Sequence, residues 1–312
     1  MTHWVEGSVT GRLREPAVSG SFYPAAADRL RGLLDGLLRA ADRLPAVDEP
    51  ARAVLPAGLL VPHAGLVYSG VTAAAAWSRL SPAAGAGASP AAGATPPVVV
   101  LLGTNHGAAW LDGVAAWPSG AWRTPLGDIA VDEGLAAAVT GLGPPFLVDR
   151  EAHDLEHSIE IQLPLLQAVA PGARIVPLSV SCRGPWAVDA GRRLGELLAG
   201  RRATGEPVVL AISTDMAHYP AAAACERVTE ALLPPILAVD PDDLAEREDA
   251  VRSAGTRGLA CGMCGIEPAV LGLAALRAMG ATRAVRLASA TSADAGGPAD
   301  RTVGYLAVRF DT

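Results

Sequence analysis

The 312-residue chain has little positive charge, few aromatic residues and few cysteines, and each shortage removes a class of function. Its net charge is −7, and its arginines are scattered. It therefore lacks the basic patch that nucleic acid or an anionic membrane would need. Half of the residues are apolar, largely alanine, yet no apolar run reaches the roughly 18 residues of a membrane span. Residues 1–20 are polar and include Glu6, Arg12, Arg14 and Glu15, with no apolar segment of the secretory kind, so a cytoplasmic protein is expected. Four cysteines do not make a disulfide framework in a chain of this size, and each is read as core filler, ligand or nucleophile. Aromatic content is low, and neither a nucleotide-binding glycine fingerprint nor an internal repeat is present, so no organic substrate can be read from these residues.

What is present is alternation. Leu30, Leu33, Leu34, Leu37 and Leu38 recur at helical spacing and predict an amphipathic helix over 26–44. Short apolar runs at 58–61, 98–102, 174–180, 208–213, 285–288 and 302–308 read as strands covered on both faces. Helix-like stretches at 71–80, 132–140, 156–170, 186–198, 221–238, 241–253 and 266–279 lie between them. This pattern predicts one α/β domain over 1–312, with three layers and a central mixed sheet flanked by helices. Residues 81–97 are nearly all Ala, Gly, Pro and Ser and read as a flexible surface insertion, and 294–301 as a second exposed loop.

Three apolar runs end close to a histidine. GLLVPHAG gives His63, VVVLLGTNHG gives His106, and VVLAISTDMAHY gives Asp215 and His218. In open α/β sheets ligands sit beyond the carboxyl ends of strands, so these segments are expected to deliver imidazoles to one edge. Cys261-Gly262-Met263-Cys264 precedes an apolar helical stretch, where the helix dipole would acidify a thiol for metal ligation or nucleophilic attack. The pair lacks the second CxxC or His pair of a structural zinc site. Cys182 and Cys225 have no ionisable cluster beside them and read as core.

The segment His153-Asp154-Leu155-Glu156-His157 matches H-x-x-E-H, which offers a zinc hydrolase using His153, Glu156 and His157 as an alternative. Asp154 reads as a helix N-cap, which would leave His153 outside the helix, and Pro164 as an interruption soon after. A supporting role suits Glu156 and His157 better, as hydrogen-bonding groups that orient metal ligands.

Taken in order, REPAVSGSFYPA, LLVPHAGLVYSG, VVVLLGTNHG, DLEHSIEIQLPLLQ, AISTDMAHY and CGMCGIEPAVLGL resemble the successive blocks of the Memo family, whose prokaryotic members are called AmmeMemoRadiSam system protein B. The resemblance implies a fold similar to the class III extradiol, LigB-like dioxygenases. It also implies a metal site on His63, His106 and Cys261, with His218 and Asp215 adjoining and Phe22 and Tyr23 lining the pocket. Relatives often carry proline after the CG dipeptide, some with a histidine before it. Here Cys264 and Gly265 stand there, so Cys264 competes with Cys261 as the thiol ligand.

Two imidazoles and a thiolate suit copper or zinc and admit iron. An iron- or copper-dependent redox protein is therefore expected, with His218 as proton donor or acceptor oriented by Asp215. The alternative is a non-catalytic pocket for a small molecule or phosphopeptide. By the same resemblance, an AMMECR-domain protein and a radical SAM enzyme are expected partners.

Overall fold

The computed structural model describes residues 12–49, 54–81 and 95–312; the expectation drawn from residues 1–20 and the Ala/Gly/Pro insertion at 81–97 lie largely outside them. The first half of the chain runs β1 (Leu13–Arg14), α1 (Ala27–Ala41), β2 (Gly58–Val61), α2 (Leu66–Trp77), β3 (Val98–Thr104), β4 (Gly113–Ala116), β5 (Ala121–Thr124), β6 (Gly127–Ala130), α3 (Glu133–Thr140) and β7 (Phe146–Val148). The second half runs α4 (Glu151–Asp154), α5 (Leu163–Val169), β8 (Arg174–Ser181), α6 (Pro185–Ala203), β9 (Val208–Ser213), α7 (Ala222–Leu237), α8 (Pro241–Ser253), α9 (Ile266–Ala278), β10 (Arg283–Thr291) and β11 (Gly304–Asp311).

An eight-stranded sheet has the order β10-β11-β2-β9-β3-β8-β4-β7, and a three-stranded sheet, β1-β5-β6, stands beside it. The central strands β2, β9, β3 and β8 are parallel, whereas β11 joins β2 and β4 joins β8 in antiparallel fashion. The expected mixed α/β sheet is thus observed. Its inner strands are apolar throughout because both faces are covered. On β3, a Cβ at Gly103 would meet Ile159, while the preceding residue, Leu102, reaches Gly272 of α9. Alternate residues therefore serve opposite layers.

Two of the described helices, α3 and α8, start at a capping aspartate. Asp240 caps α8 by accepting from the amides of Asp242 and Asp243, with Pro241 at the first helical position. In α1, Leu30, Leu34, Leu37 and Leu38 are buried, as the spacing predicts. The 156–170 stretch departs from expectation. It is a turn followed by a single 3₁₀ turn at 160–162, and α5 begins only at Leu163. Pro164 starts that helix rather than interrupting it, since its missing N–H costs nothing in the first turn. Asp154 likewise ends α4 instead of capping a new helix. Strands β4 to β7 escaped the sequence reading because each is three or four residues long and lacks a sustained β-branched run.

Helices α6 and α9 cross closely. A Cβ added at Gly191 would lie 2.2 Å from the Leu271 carbonyl oxygen, and one at Gly195 2.2 Å from that of Ala275. Gly191→Ala gains helix propensity worth up to about 1 kcal/mol, but it forces backbone apart, at a cost of about 1–3 kcal/mol. The net effect is a loss of stability, to be read from urea denaturation. An unchanged midpoint would contradict this packing.

Candidate metal centre

The carboxyl ends of β2, β9 and β3 lie side by side, with Val61 opposite Ser213 and Ile212 opposite Leu102. Two residues beyond each end stand His63, Asp215 and His106. A fourth segment, 153–160, closes over β3. Gly103 makes this approach possible, because a Cβ there would lie 2.4 Å from Ile159 and 2.7 Å from the Ser158 hydroxyl. Ser158 Oγ donates to the Thr104 carbonyl at 2.9 Å. This seam carries His157 into the site.

The imidazoles of His63, His106 and His157 converge, each offering a nitrogen within 4.8 Å of the others. His63 is buried at 2% exposure, while His106 opens to solvent. Ring centroids lie 5.2 Å apart for His63 and His106, 5.4 Å for His63 and His157, and 4.5 Å for the stacked His106 and His157.

Hydrogen bonding fixes which nitrogens are free. Ser213 Oγ donates to the Ser158 carbonyl at 2.6 Å, which uses its only proton. Toward His63 Nδ1, 3.1 Å away, that hydroxyl therefore accepts, and the His63 lone pair is left on Nε2. Glu156 Oε1, acceptor-only as a carboxylate, takes the Nδ1 proton of His106 at 2.9 Å, leaving Nε2 of His106 free as well. His218 Nδ1 donates to the Met216 carbonyl at 2.8 Å. Burial, followed by the neighbouring imidazoles His106 and His157, holds His63 well below its ordinary pKa, and burial lowers His157 and His218 too. Neutral rings with exposed lone pairs are the form that ligates metals.

Cys264 is the thiol nearest these rings: its Sγ lies 3.2 Å from His63 Nε2 and accepts the Asp215 N–H at 3.3 Å. Like Cys264, Cys261 is not part of the three-residue group that converges here among the described residues. Its backbone pairs with His218, whose N–H donates to the Cys261 carbonyl at 3.0 Å. The expected acidification by the helix dipole does not prevail. Burial pushes Cys264 well above its ordinary pKa, and burial together with Glu248 pushes Cys261 up to about 11.

Glu156, read from the sequence as an orienting group, hydrogen-bonds the His106 ring. Besides the His106 ring, it accepts the main-chain N–H groups of His106, His157 and Ser158 at 2.7–2.8 Å. Asp215 does not orient His218. Its Oδ1 accepts the His63 and Ala64 amides at 2.7 and 3.3 Å, and burial raises its pKa to about 7 against the pull of those amides. Phe22 packs on His157 with centroids 4.9 Å apart. Tyr23 instead turns into the core and donates to Glu160 Oε1 at 2.7 Å. Cys225 is fully buried, as read, and Cys182 is also buried.

The zinc-hydrolase arrangement is not formed. His153 lies wholly inside, its Nε2 donating to the Ala115 carbonyl at 3.0 Å and its ring edge-on to Trp117 and Trp122. The chain leaves α4 at Leu155, so His153 and His157 do not share a helix face. Sequence reasoning missed the Ser158–Ser213–Gln162 network, in which Gln162 Nε2 donates to Ser213 Oγ at 3.0 Å and to the Pro62 carbonyl at 2.9 Å. The signal was a serine closing an otherwise apolar strand in AIS.

Fold and site together define an α/β protein with a three-histidine cluster at a sheet edge that could hold a metal ion. The family model described as Memo-like protein matches residues 14–309, and the chain belongs to that family. It is 33% identical over 302 residues to a MEMO1 family protein of Aquifex aeolicus, covering 96% of this chain and 99% of the relative. It is 34% identical over 306 residues to a MEMO1 family protein of Methanopyrus kandleri, covering 95% and 98%. Among solved structures, an uncharacterized protein from Escherichia coli K12 aligns with 82% of this chain and 99% of its own, at 15% identity and a TM-score of 0.48.

His153 yields a pH prediction. Burial lowers its pKa from about 6.5 to about 4, so the unfolded chain takes up a proton below pH 6.5 that the folded chain refuses. Its contribution to stability is intact above pH 6.5 and is lost as pH falls toward 4, by roughly 3 kcal/mol at about 1.36 kcal/mol per pH unit. His153→Gln keeps a donor for Ala115 and should flatten the decline by about one proton. Equal slopes of unfolding free energy against pH in the two proteins would refute the assignment.

Proposed function

We propose that the pocket holds an iron or copper ion on His63, His106 and His157, with Cys264 as the thiol donor, and that the chain is a metal-dependent redox protein. The convergence of three imidazoles within 4.8 Å carries this reading, and the Cys264 sulfur 3.2 Å from His63 Nε2 supports it. Imidazoles with one thiolate form a borderline-soft set that suits copper and zinc and accepts iron. A bound iron or copper ion would supply one-electron chemistry and a binding position for dioxygen or another small molecule.

The chain's own groups do the rest. Glu156 fixes the His106 ring and increases its basicity. Ser213 does the same for His63. His218, with its proton fixed on Nδ1 by Met216, presents Nε2 as an acceptor for a substrate proton. Phe22 shields one side of His157 from water.

Full-length protein purified without chelator and reloaded with ferrous or cuprous ion should bind about one ion per chain by elemental analysis. His63→Ala should lose it, and Glu156→Gln should weaken affinity by roughly 10–100-fold. Cys264→Ser should abolish thiolate-to-metal charge-transfer absorption, whereas Cys261→Ser should leave it. Equal metal content in wild type and His63→Ala would sink the metal reading and leave a pocket for a metal-free ligand.

A further inference from the structure

The turn that follows His218 is held in an unfavourable backbone conformation. Tyr219 has φ +73°, a left-handed setting that glycine adopts freely and a bulky side chain seldom does. Neighbouring segments enforce it from both sides. The Tyr219 N–H donates to the Thr302 carbonyl at 2.6 Å and the Thr302 N–H to that of Pro220 at 2.9 Å, while the Ala260 N–H donates to the His218 carbonyl at 3.0 Å. Gly258 packs against the same corner, since a Cβ there would lie 3.0 Å from the Tyr219 carbonyl oxygen. Strain imposed in this way beside a candidate site points to a function for the side chain it displays.

That side chain is 42% exposed, stands edge-on to the His218 ring with centroids 5.4 Å apart, and carries the Arg301 guanidinium 4.3 Å over its own ring. The segment that anchors Tyr219 also supplies Arg301, one residue before Thr302. Arg301 is exposed and forms no ion pair among the described residues. Of the acidic residues in its loop, Asp294 accepts from the Thr291 amide and hydroxyl at 2.7 and 3.1 Å, and Asp300 forms no ion pair. A guanidinium lying over a ring is held in place yet keeps N–H donors for a planar, two-point contact with an acid group.

We propose that Arg301, placed by Tyr219, recognises the acid group of the ligand that enters the imidazole pocket, which makes that ligand a small organic carboxylate. The proposal rests on the reading of the pocket as a ligand-binding centre: the acid group would sit on Arg301, the body would pass along Tyr219, and the far end would reach His218 Nε2 and the three imidazoles. One guanidinium matches one carboxylate in charge and shape, whereas a phosphate dianion calls for further donors. Two ring contacts separate Arg301 from His218, so a body roughly the size of one aromatic ring fits the spacing.

The test is an NMR titration of full-length, chelator-treated protein with hydrocinnamate, beside the neutral hydrocinnamyl alcohol and phenyl phosphate. Hydrocinnamate is expected to bind saturably at one per chain, with an affinity of roughly millimolar or better, and to shift the His218 ring resonances. It should bind about fivefold more tightly than the alcohol, as for a single exposed charge pair, and more tightly than phenyl phosphate. Arg301→Gln should erase the preference for acid over alcohol and leave binding of the alcohol unchanged. Tyr219→Gly, which suits φ +73° and removes the platform under Arg301, should lower hydrocinnamate affinity severalfold. No saturable binding, equal affinity for acid and alcohol, a preference that survives Arg301→Gln, undiminished affinity in Tyr219→Gly, tighter binding of phenyl phosphate, or undisturbed His218 resonances would overturn the proposal. These readouts are taken without metal, so failure here is separable from failure of the metal reading, which the metal content of His63→Ala decides.

Discussion

One buried carboxylate holds the site in shape. Glu156 accepts four N–H donors, three from main chain and one from the His106 ring, and so ties the loop after β3 to the turn that carries His157. Burial by itself would raise its pKa. The hydrogen bond and charge of His106 and the amides of Ser158 and His106 outweigh burial and hold it at about 2. Without that carboxylate, two imidazoles with centroids 4.5 Å apart would have no common support.

The turn is anchored in depth by a second carboxylate. Glu160, fully buried, pairs with Arg14 and accepts from the Ala17 and Val18 amides and the Tyr23 hydroxyl. Arg14 in turn donates to the carbonyls of His153 and Glu156 and lies 4.2 Å over the Trp122 ring. A buried ion pair of this kind is a weak source of net stability but a strong determinant of arrangement, because removing either partner strands the other. The N-terminal segment is thereby locked to the turn, which sets Phe22 against His157 and leaves Tyr23 as structure rather than pocket lining.

The sheet was legible because its central strands are short apolar runs that alternate with longer stretches of helical period. His63 and His106 were legible for the same reason: each follows a strand whose end could be seen. His157 was harder to place as a member of the cluster. The sequence suggests a helix from 156, whereas the Arg14–Glu160 pair and the seat at Gly103 impose an irregular turn, an outcome of tertiary contacts that local propensity does not contain. Glu156 was singled out on chemistry, since an imidazole ligand needs an acceptor behind it.

The choice between the two thiols turns on which one can shed its proton. Cys261 sits where its backbone bridges to His218, with the carboxylate of Glu248 raising its pKa further. Cys264 pays an even larger burial penalty, but it faces the free lone pair of His63 and accepts an amide N–H from Asp215. In the absence of a cation, both are protonated thiols at neutral pH. A divalent ion beside His63 would reverse that balance for Cys264, because the thiolate would then sit against positive charge rather than in a vacant interior. The same burial that keeps Cys264 protonated alone would then make it responsive to metal, with its ionisation coupled to whatever the three imidazoles held.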